Sequence, residues 1–120
     1  MAAKDELGRA GENRAVAHLS SSGYLILDRN WRCPQGEIDI VADHHGALVV
    51  IEVKTRTSEA YGHPFDAIDA RKAARLWRLA MAWIGEHPAE ARGRRLRLDA
   101  IALTGPDPST ARLEHLEDAL

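Results

Sequence analysis

Two alternating segments on either side of His45-Gly46 constrain this chain more than any other part of it. Gly36-Glu37-Ile38-Asp39-Ile40-Val41-Ala42 and Val50-Ile51-Glu52-Val53-Lys54-Thr55-Arg56 both alternate apolar with charged residues, the period of a β-strand. Asp43-His44-His45-Gly46 separates them, and a two-residue turn at His45-Gly46 sets Asp39 opposite Glu52. Glycine at the second turn position tolerates the positive φ that a type I′ turn requires. A register shifted by one residue would send the two carboxylates to opposite faces. In the expected register Glu37, Asp39 and Val41 share a face, as do Val50, Glu52, Lys54 and Arg56. Ile38, Ile40 and Ala42, with Val49, Ile51 and Val53, make the other face aliphatic, and that face must be core.

The rest of the chain supplies what covers such a hairpin. Asp5 to Ser21 reads as a helix, with Glu12, Ala15, Val16 and Leu19 on one side, and Ser20-Ser21-Ser22-Gly23 stops it. Tyr24 to Leu27 is a short strand that Trp31 and Arg32 extend, followed by a turn at Cys33-Pro34-Gln35-Gly36. Beyond a loop from Thr57 to Phe65, a second helix runs from Ala70 to Gly85, with Asp69 placed to cap it. Its expected apolar stripe is Ala70, Ala73, Ala74, Trp77, Met81 and Ile84, with Arg71, Arg75 and Arg78 on the other side. Arg97 to Leu103 is a strand, and a last short one lies in Ala111–Leu116. The order is one helix, three strands, one helix, then one or two strands. It implies a single α/β domain over residues 1–120, a mixed central sheet flanked by helices.

Charges on a strand face ask for a chemical reason, because burying them is unfavourable. A hard divalent cation such as Mg²⁺ or Mn²⁺ takes one or two protein carboxylates and fills its remaining positions with water and phosphate oxygens. Asp39 and Glu52 offer the carboxylates, and the Val53 carbonyl lies between Glu52 and Lys54. Lys54 is placed to stabilise charge on a phosphodiester transition state, or to position and deprotonate the attacking water. The competing reading is a surface ion pair between Glu52 and Lys54. Glu12, on the inward side of the first helix, either pairs with an arginine such as Arg56 or Arg32, or contributes to the same metal site through water.

These segments also carry a resemblance. Gly8-Arg9-Ala10-Gly11-Glu12-Asn13-Arg14-Ala15, Gly23-Tyr24, Arg29-Asn30-Trp31-Arg32, Gly36 to Ala42 and Ile51 to Arg56 resemble the YraN-like family of small bacterial proteins. Lys72, Ala80 and Arg97-Leu98-Asp99 also fit that pattern, so the likeness spans nearly the whole chain. The family is in turn similar to the restriction-endonuclease-like superfamily and, within it, to archaeal Holliday-junction resolvases. The resemblance implies an αβββαβ core and a divalent-metal site built on Asp followed by Glu-x-Lys. It assigns Asp39, Glu52 and Lys54 as the catalytic set, with Glu12 as the helix-borne acid. The function so implied is metal-dependent endonucleolytic hydrolysis of structured or branched DNA. The alternative is a nucleic-acid-binding or protein-interaction module that keeps the fold without turnover.

Composition limits the remaining choices. Formal net charge is −2, so overall charge does not mark a nucleic-acid binder. All but three of the 16 basic residues are arginines, and arginine makes bidentate bonds to phosphate. Arg56, Arg71, Lys72 and Arg75 are the candidate contacts to a nucleic-acid backbone, although a solvated helix face would look the same. The expected partner is therefore nucleic acid, DNA before RNA, and a homodimer stays open. A single cysteine, Cys33, fits a reducing compartment, and Met1–Leu7 has no secretory pattern, so the expected location is the cytoplasm, with no membrane partner. His44 and His45 are expected to be solvated at the hairpin tip. His63 and His115 are expected to be loop and packing residues, and Trp31, Trp77 and Trp83 to be core.

Overall fold

The computed structural model describes residues 3–119, and side chains from residue 6 onward; part of the Met1–Leu7 segment thus lies outside the described residues. Helix α1 (Ala3–Ser21) precedes strands β1 (Leu25–Cys33), β2 (Gly36–His44) and β3 (Ala47–Arg56). Then come α2 (Ala70–Glu86), a short α3 (Pro88–Ala91), β4 (Leu96–Thr104) and β5 (Arg112–Leu116). The strands form one five-stranded sheet in sequence order. Every neighbouring pair is antiparallel except β3 and β4, which run parallel from Leu48↔Leu96 to Arg56↔Thr104. A parallel pair needs a long crossover, and α2 lies within it. The sheet is mixed and helix-flanked, as the element order implied.

The hairpin has the expected register. His44 pairs with Ala47 and Ile40 with Ile51, so Asp39 and Glu52 are next in line. His45 (φ 50°) and Gly46 (φ 84°) occupy the turn, both left-handed as a type I′ turn demands. Asp43 closes it by accepting the Gly46 amide at 3.1 Å.

Burial of the hairpin differs from expectation, because both of its faces are covered. On the α1 side, Ile40, Ala42, Val49 and Ile51 pack with Ala15, Leu19, Ile101 and Leu103. On the α2 side, Val41, Leu48, Val50 and Leu98 pack with Leu76, Leu79, Ala80 and Trp83. Ile38 joins this second cluster instead of lying with Ile40, so strict alternation is interrupted around Asp39. Helix α2 is also rotated from the expected stripe. Ala73, Leu76, Leu79, Ala80 and Trp83 are buried, while Ala74 is exposed and Met81 is 54% exposed. Trp77 and Ile84 of the expected stripe stay partly buried at its edge, while Leu76, Leu79 and Trp83 take the centre of the contact. Trp83 also satisfies its indole N–H by donating to Asp28 at 2.9 Å. The N-cap is where expected, with Asp69 accepting the Lys72 amide at 2.9 Å.

Helix α1 reaches β3 closely because of a glycine. A Cβ on Gly11 would stand 2.0 Å from Thr55 Oγ1 and 3.0 Å from Thr55 Cβ. The neighbouring Glu12 is thereby brought against the sheet, where it is 8% exposed.

At the other end of the sheet a buried polar network ties the α1 layer together. Asp99 accepts from Arg97 Nε at 2.9 Å, the Asp118 amide at 3.0 Å and the Tyr24 hydroxyl at 2.8 Å, with His115 Nε2 at 2.8 Å. Arg97 also donates to Tyr24 at 2.8 Å. The Tyr24 ring stacks on His44, centroids 3.9 Å apart. His44 is therefore buried, contrary to the solvated placement expected at a hairpin tip. Burial acts to raise the Asp99 carboxyl, but the hydrogen bonds from His115 and Arg97 outweigh it and hold it well below the usual range. Burial, helped by the bond to Asp99, raises the Tyr24 phenol.

Two measurements test this architecture. Gly11→Ala should destabilise the protein by about 1–3 kcal/mol in denaturant unfolding, despite alanine's better helix propensity, because the extra methyl overpacks the helix–sheet contact. The double variant Gly11→Ala/Thr55→Ala should recover most of that loss. Asp99 has a depressed folded-state pKa, so its contribution is present above the unfolded carboxylate value of about 3.9 and lost as pH falls below it. Asp99→Ala, which strands a buried arginine, should cost about 3–5 kcal/mol at neutral pH, and less at pH 2 than at pH 7.

Candidate functional site

Glu52, Lys54 and Asp39 meet where the β2–β3 ladder ends. The last pair in the ladder is Ile40↔Ile51. Beyond it the partly buried Asp39 turns its carboxylate to the strand backbone, and Oδ2 accepts the Val53 amide at 2.9 Å. Glu52, 7% exposed, projects toward α2. Its Oε2 lies 3.1 Å from Lys54 Nζ and 3.0 Å from Lys72 Nζ. Lys72 reaches it from the first turn of α2, so three separate elements converge on the acid pair.

Charge is distributed unequally between the two acids. Burial pushes the Asp39 carboxyl up, to about 8, and the neighbouring Glu52 charge adds to this; the Val53 amide only partly offsets them. Among the described residues no cation pairs with Asp39. Burial works on Glu52 in the same direction, but Lys54 and Lys72 outweigh it and hold Glu52 below its ordinary value. A pair of facing carboxylates, one of them without a counter-ion, suits a hard divalent cation in donor chemistry and in charge.

Glu12 approaches the site from α1. It accepts from Arg29 Nε and from Asn30 Nδ2, each at 3.0 Å. Its partner is thus Arg29, and neither Arg56 nor Arg32. Asn30 takes a left-handed conformation, φ 53°, which asparagine tolerates better than most residues. Glu12, Asp39, Lys54 and Arg56 line one cavity of about 650 Å³ on the α1 side. Asp39, Glu52, Lys54, Lys72 and Arg75 line a second, of about 260 Å³, on the α2 side. Glu37, Asp39, Val53 and Lys54 belong to both, so the site sits on a ridge between two grooves.

The four expected backbone contacts separate in the structure. Arg56, exposed at the end of β3, lines the first groove, and Arg75 lines the second, its guanidinium close over Gly36. Arg71 is exposed and lines neither groove. Lys72 is held against Glu52 as part of the acid–base cluster. Strand periodicity brought Glu52 and Lys54 together, but Lys72 lies eighteen positions further on, and no spacing rule links it to them; only the packing of α2 does.

Glu59, His63 and Glu114 also lie close together. His63 Nδ1 accepts the Phe65 amide at 3.0 Å, so Nε2 carries the proton and donates to Glu114 at 2.9 Å. Arg112 pairs with both carboxylates. With its ring nitrogens committed and its acids neutralised, this is an ion-paired surface cluster. His63 is accordingly the loop residue expected of it.

Fold and site together define a mixed α/β domain with a carboxylate–lysine cluster at the C-terminal end of β3. The chain belongs to the Uncharacterised protein family UPF0102, which matches residues 11–103. This bears out the YraN-like resemblance. A UPF0102 protein of Arthrobacter sp. (strain FB24) is 53% identical over 116 residues, covering 97% of both chains. Another, from Frankia casuarinae, is 45% identical over 119 residues and covers 99% of each. Among the described residues no helix is long and apolar enough to cross a membrane.

Asp39 titration gives the site a measurable signature. Its folded-state pKa is raised, so between about pH 4 and pH 8 the folded protein holds a proton that the unfolded chain has released. Stability of the metal-free protein should therefore fall as pH rises across that window. Asp39→Asn should remove this slope, so that thermal melts of the variant gain on wild type steadily from pH 4 to pH 8.

Proposed function

We propose that this protein is a Mg²⁺- or Mn²⁺-dependent endodeoxyribonuclease acting on structured or branched DNA, a member of the restriction-endonuclease-like superfamily similar to archaeal Holliday-junction resolvases. One observation carries the reading: Asp39 and Glu52 face each other at a ladder end, and Asp39 has no cationic partner among the described residues. A desolvated acid is ordinarily paired with a cation; Asp39 instead meets a backbone amide and a second acid, Glu52.

Asp39 and Glu52, with the Val53 carbonyl, would hold the cation. A cation bound there supplies Lewis-acid polarisation of a phosphoryl oxygen and a more acidic water. Lys54 keeps a positive charge beside Glu52, placed to stabilise the extra negative charge that builds on the phosphate during attack. Glu12 is fixed by Arg29 and Asn30, so its carboxylate keeps one orientation at the edge of the first groove. It acts on the site through water. Arg56 and Arg75 stand in the two grooves flanking the ridge and would hold the backbone on either side of the scissile bond. Lys72 reaches the backbone only after leaving Glu52, while Arg71 would touch a substrate that extends beyond the grooves. The non-catalytic module is the second reading. It is favoured by one feature: two lysines already neutralise Glu52.

A cleavage panel of duplex, flap, single-stranded and four-way DNA with Mn²⁺, run alongside Mn²⁺ calorimetry, separates the two. Asp39→Ala and Glu52→Gln should abolish cleavage and weaken Mn²⁺ binding while the circular dichroism spectrum stays native. Lys54→Arg and Lys54→Ala should keep Mn²⁺ binding yet lose cleavage by at least ~10²-fold, the scale for removing a positioned electrostatic or acid–base group. Near-normal cleavage by Lys54→Arg would reduce Lys54 to charge balance. Wild-type protein that cleaves none of these substrates, with Mn²⁺ or with Mg²⁺ in its place, would favour the non-catalytic module.

A further inference from the structure

Both ammonium groups on Glu52 reach the same oxygen. Lys54 Nζ is 3.1 Å and Lys72 Nζ 3.0 Å from Oε2. A carboxylate oxygen offers two lone-pair directions, and two ammoniums account for both. No such crowding occurs at Asp39, whose Oδ2 accepts only the Val53 amide. A cation taking Oε2 as a ligand would have to displace one of these two ammoniums from it.

We propose that Lys72 is a displaceable internal counter-ion: it occupies the divalent cation's place on Glu52 in the metal-free protein and leaves that oxygen when the cation binds. The inference rests on the metal-site reading above. Of the two lysines, Lys72 is the one free to leave. Lys54 is two positions from Glu52 on β3 and projects from the same face, so its stem starts within about 7 Å of the acid's, on the same rigid strand. Lys72 comes from a different layer. Its backbone is pinned by the Asp69 cap at 2.9 Å, but its side chain spans from helix to sheet and is 26% exposed, against 19% for Lys54. Open volume lies next to it, in the groove of about 260 Å³ that Arg75 also lines.

Electrostatics gives the direction of the movement. A doubly charged cation held by Glu52 would repel the ammonium that now lies 3.0 Å from Oε2. Once released, Lys72 shares its groove with Arg75, and two cationic side chains then face the volume a phosphate would enter. Loading the metal and arming the phosphate-holding groups become one event. In the metal-free protein both lysines offset the buried Glu52 charge, and Lys72 supplies part of that stabilisation.

Calorimetric titration with Mn²⁺ alone tests this on the full chain without any substrate. Lys72→Met removes the ammonium, and Lys72→Gln does so while keeping a polar end, which guards against a variant that fails to fold. Arg78→Gln, an exposed position on the same helix, controls for a general change in charge. Both Lys72 variants should bind Mn²⁺ at least about tenfold more tightly than wild type, and Arg78→Gln should match wild type. In thermal melts the metal-free Lys72 variants should unfold below wild type, and saturating Mn²⁺ should raise them by more than it raises wild type. Equal Mn²⁺ affinity in wild type and both Lys72 variants would overturn the displacement and leave the metal site standing. No Mn²⁺ binding by any of the four proteins would overturn both.

Discussion

The His45-Gly46 turn is the constraint on which the rest of this structure hangs. Two left-handed residues in succession close the hairpin with no slack, so β2 can meet β3 in one register only. That register puts Val41 and Val50 on the α2 side and Ile40 and Ile51 on the α1 side, and each helix finds an apolar face waiting. It also carries Asp39 and Glu52 to the same level, at the end where the helices no longer cover the sheet completely. Acid residues in the middle of either face would have had no water and no partner. At the ladder end they have an amide, two lysines and two grooves.

How much of this could be read from the residues depends on how local the determinant is. Strand alternation and a two-residue turn are local, and the Asp39–Glu52 juxtaposition followed from them. The Asp69 cap is local too, a carboxylate three residues before the amide it accepts. The rotation of α2 was not local. Two helical stripes were available, and the contact of Leu76, Leu79 and Trp83 with Ile38, Val41 and Val50 chose between them. The same rotation turned Lys72 toward Glu52, which is why that lysine read as a free surface cation. His44 was misplaced for a related reason: a hairpin tip is exposed only if nothing stands beside it, and here Tyr24 and Arg97 do. The signal was present in Arg97 and Asp99, two charges alternating within an otherwise apolar strand. They are the same kind of pattern as Asp39 and Glu52, but they are compensated by each other, by Tyr24 and by His115.

The comparison of the two charged ends of the sheet is instructive in itself. At Asp99 every acceptor is met by a donor of the chain, and the carboxyl is held ionised. At Asp39 the chain supplies one amide, and the carboxyl is pushed the other way. Burial acts in the same direction on both, so what separates them is their surroundings: donors on every side of Asp99, but one amide and the Glu52 charge beside Asp39. The first arrangement is complete without a ligand. The second has capacity left over, which is why the functional reading attaches there.

The parallel pairing of β3 with β4 has a consequence for how the chain reaches this state. The strands β1, β2 and β3 are neighbours along the sequence, and their pairings close only short turns. Leu48, in contrast, meets Leu96, so joining β3 to β4 must close the whole intervening crossover. Chain entropy opposes long closures more than short ones, and contacts between distant segments slow the search for the native state. Asp39 and Glu52 lie on the near side of that closure, in the meander, and Lys72 lies within the crossover itself. The acid pair and the lysine that neutralises half of it are thus separated by the largest topological step in the fold.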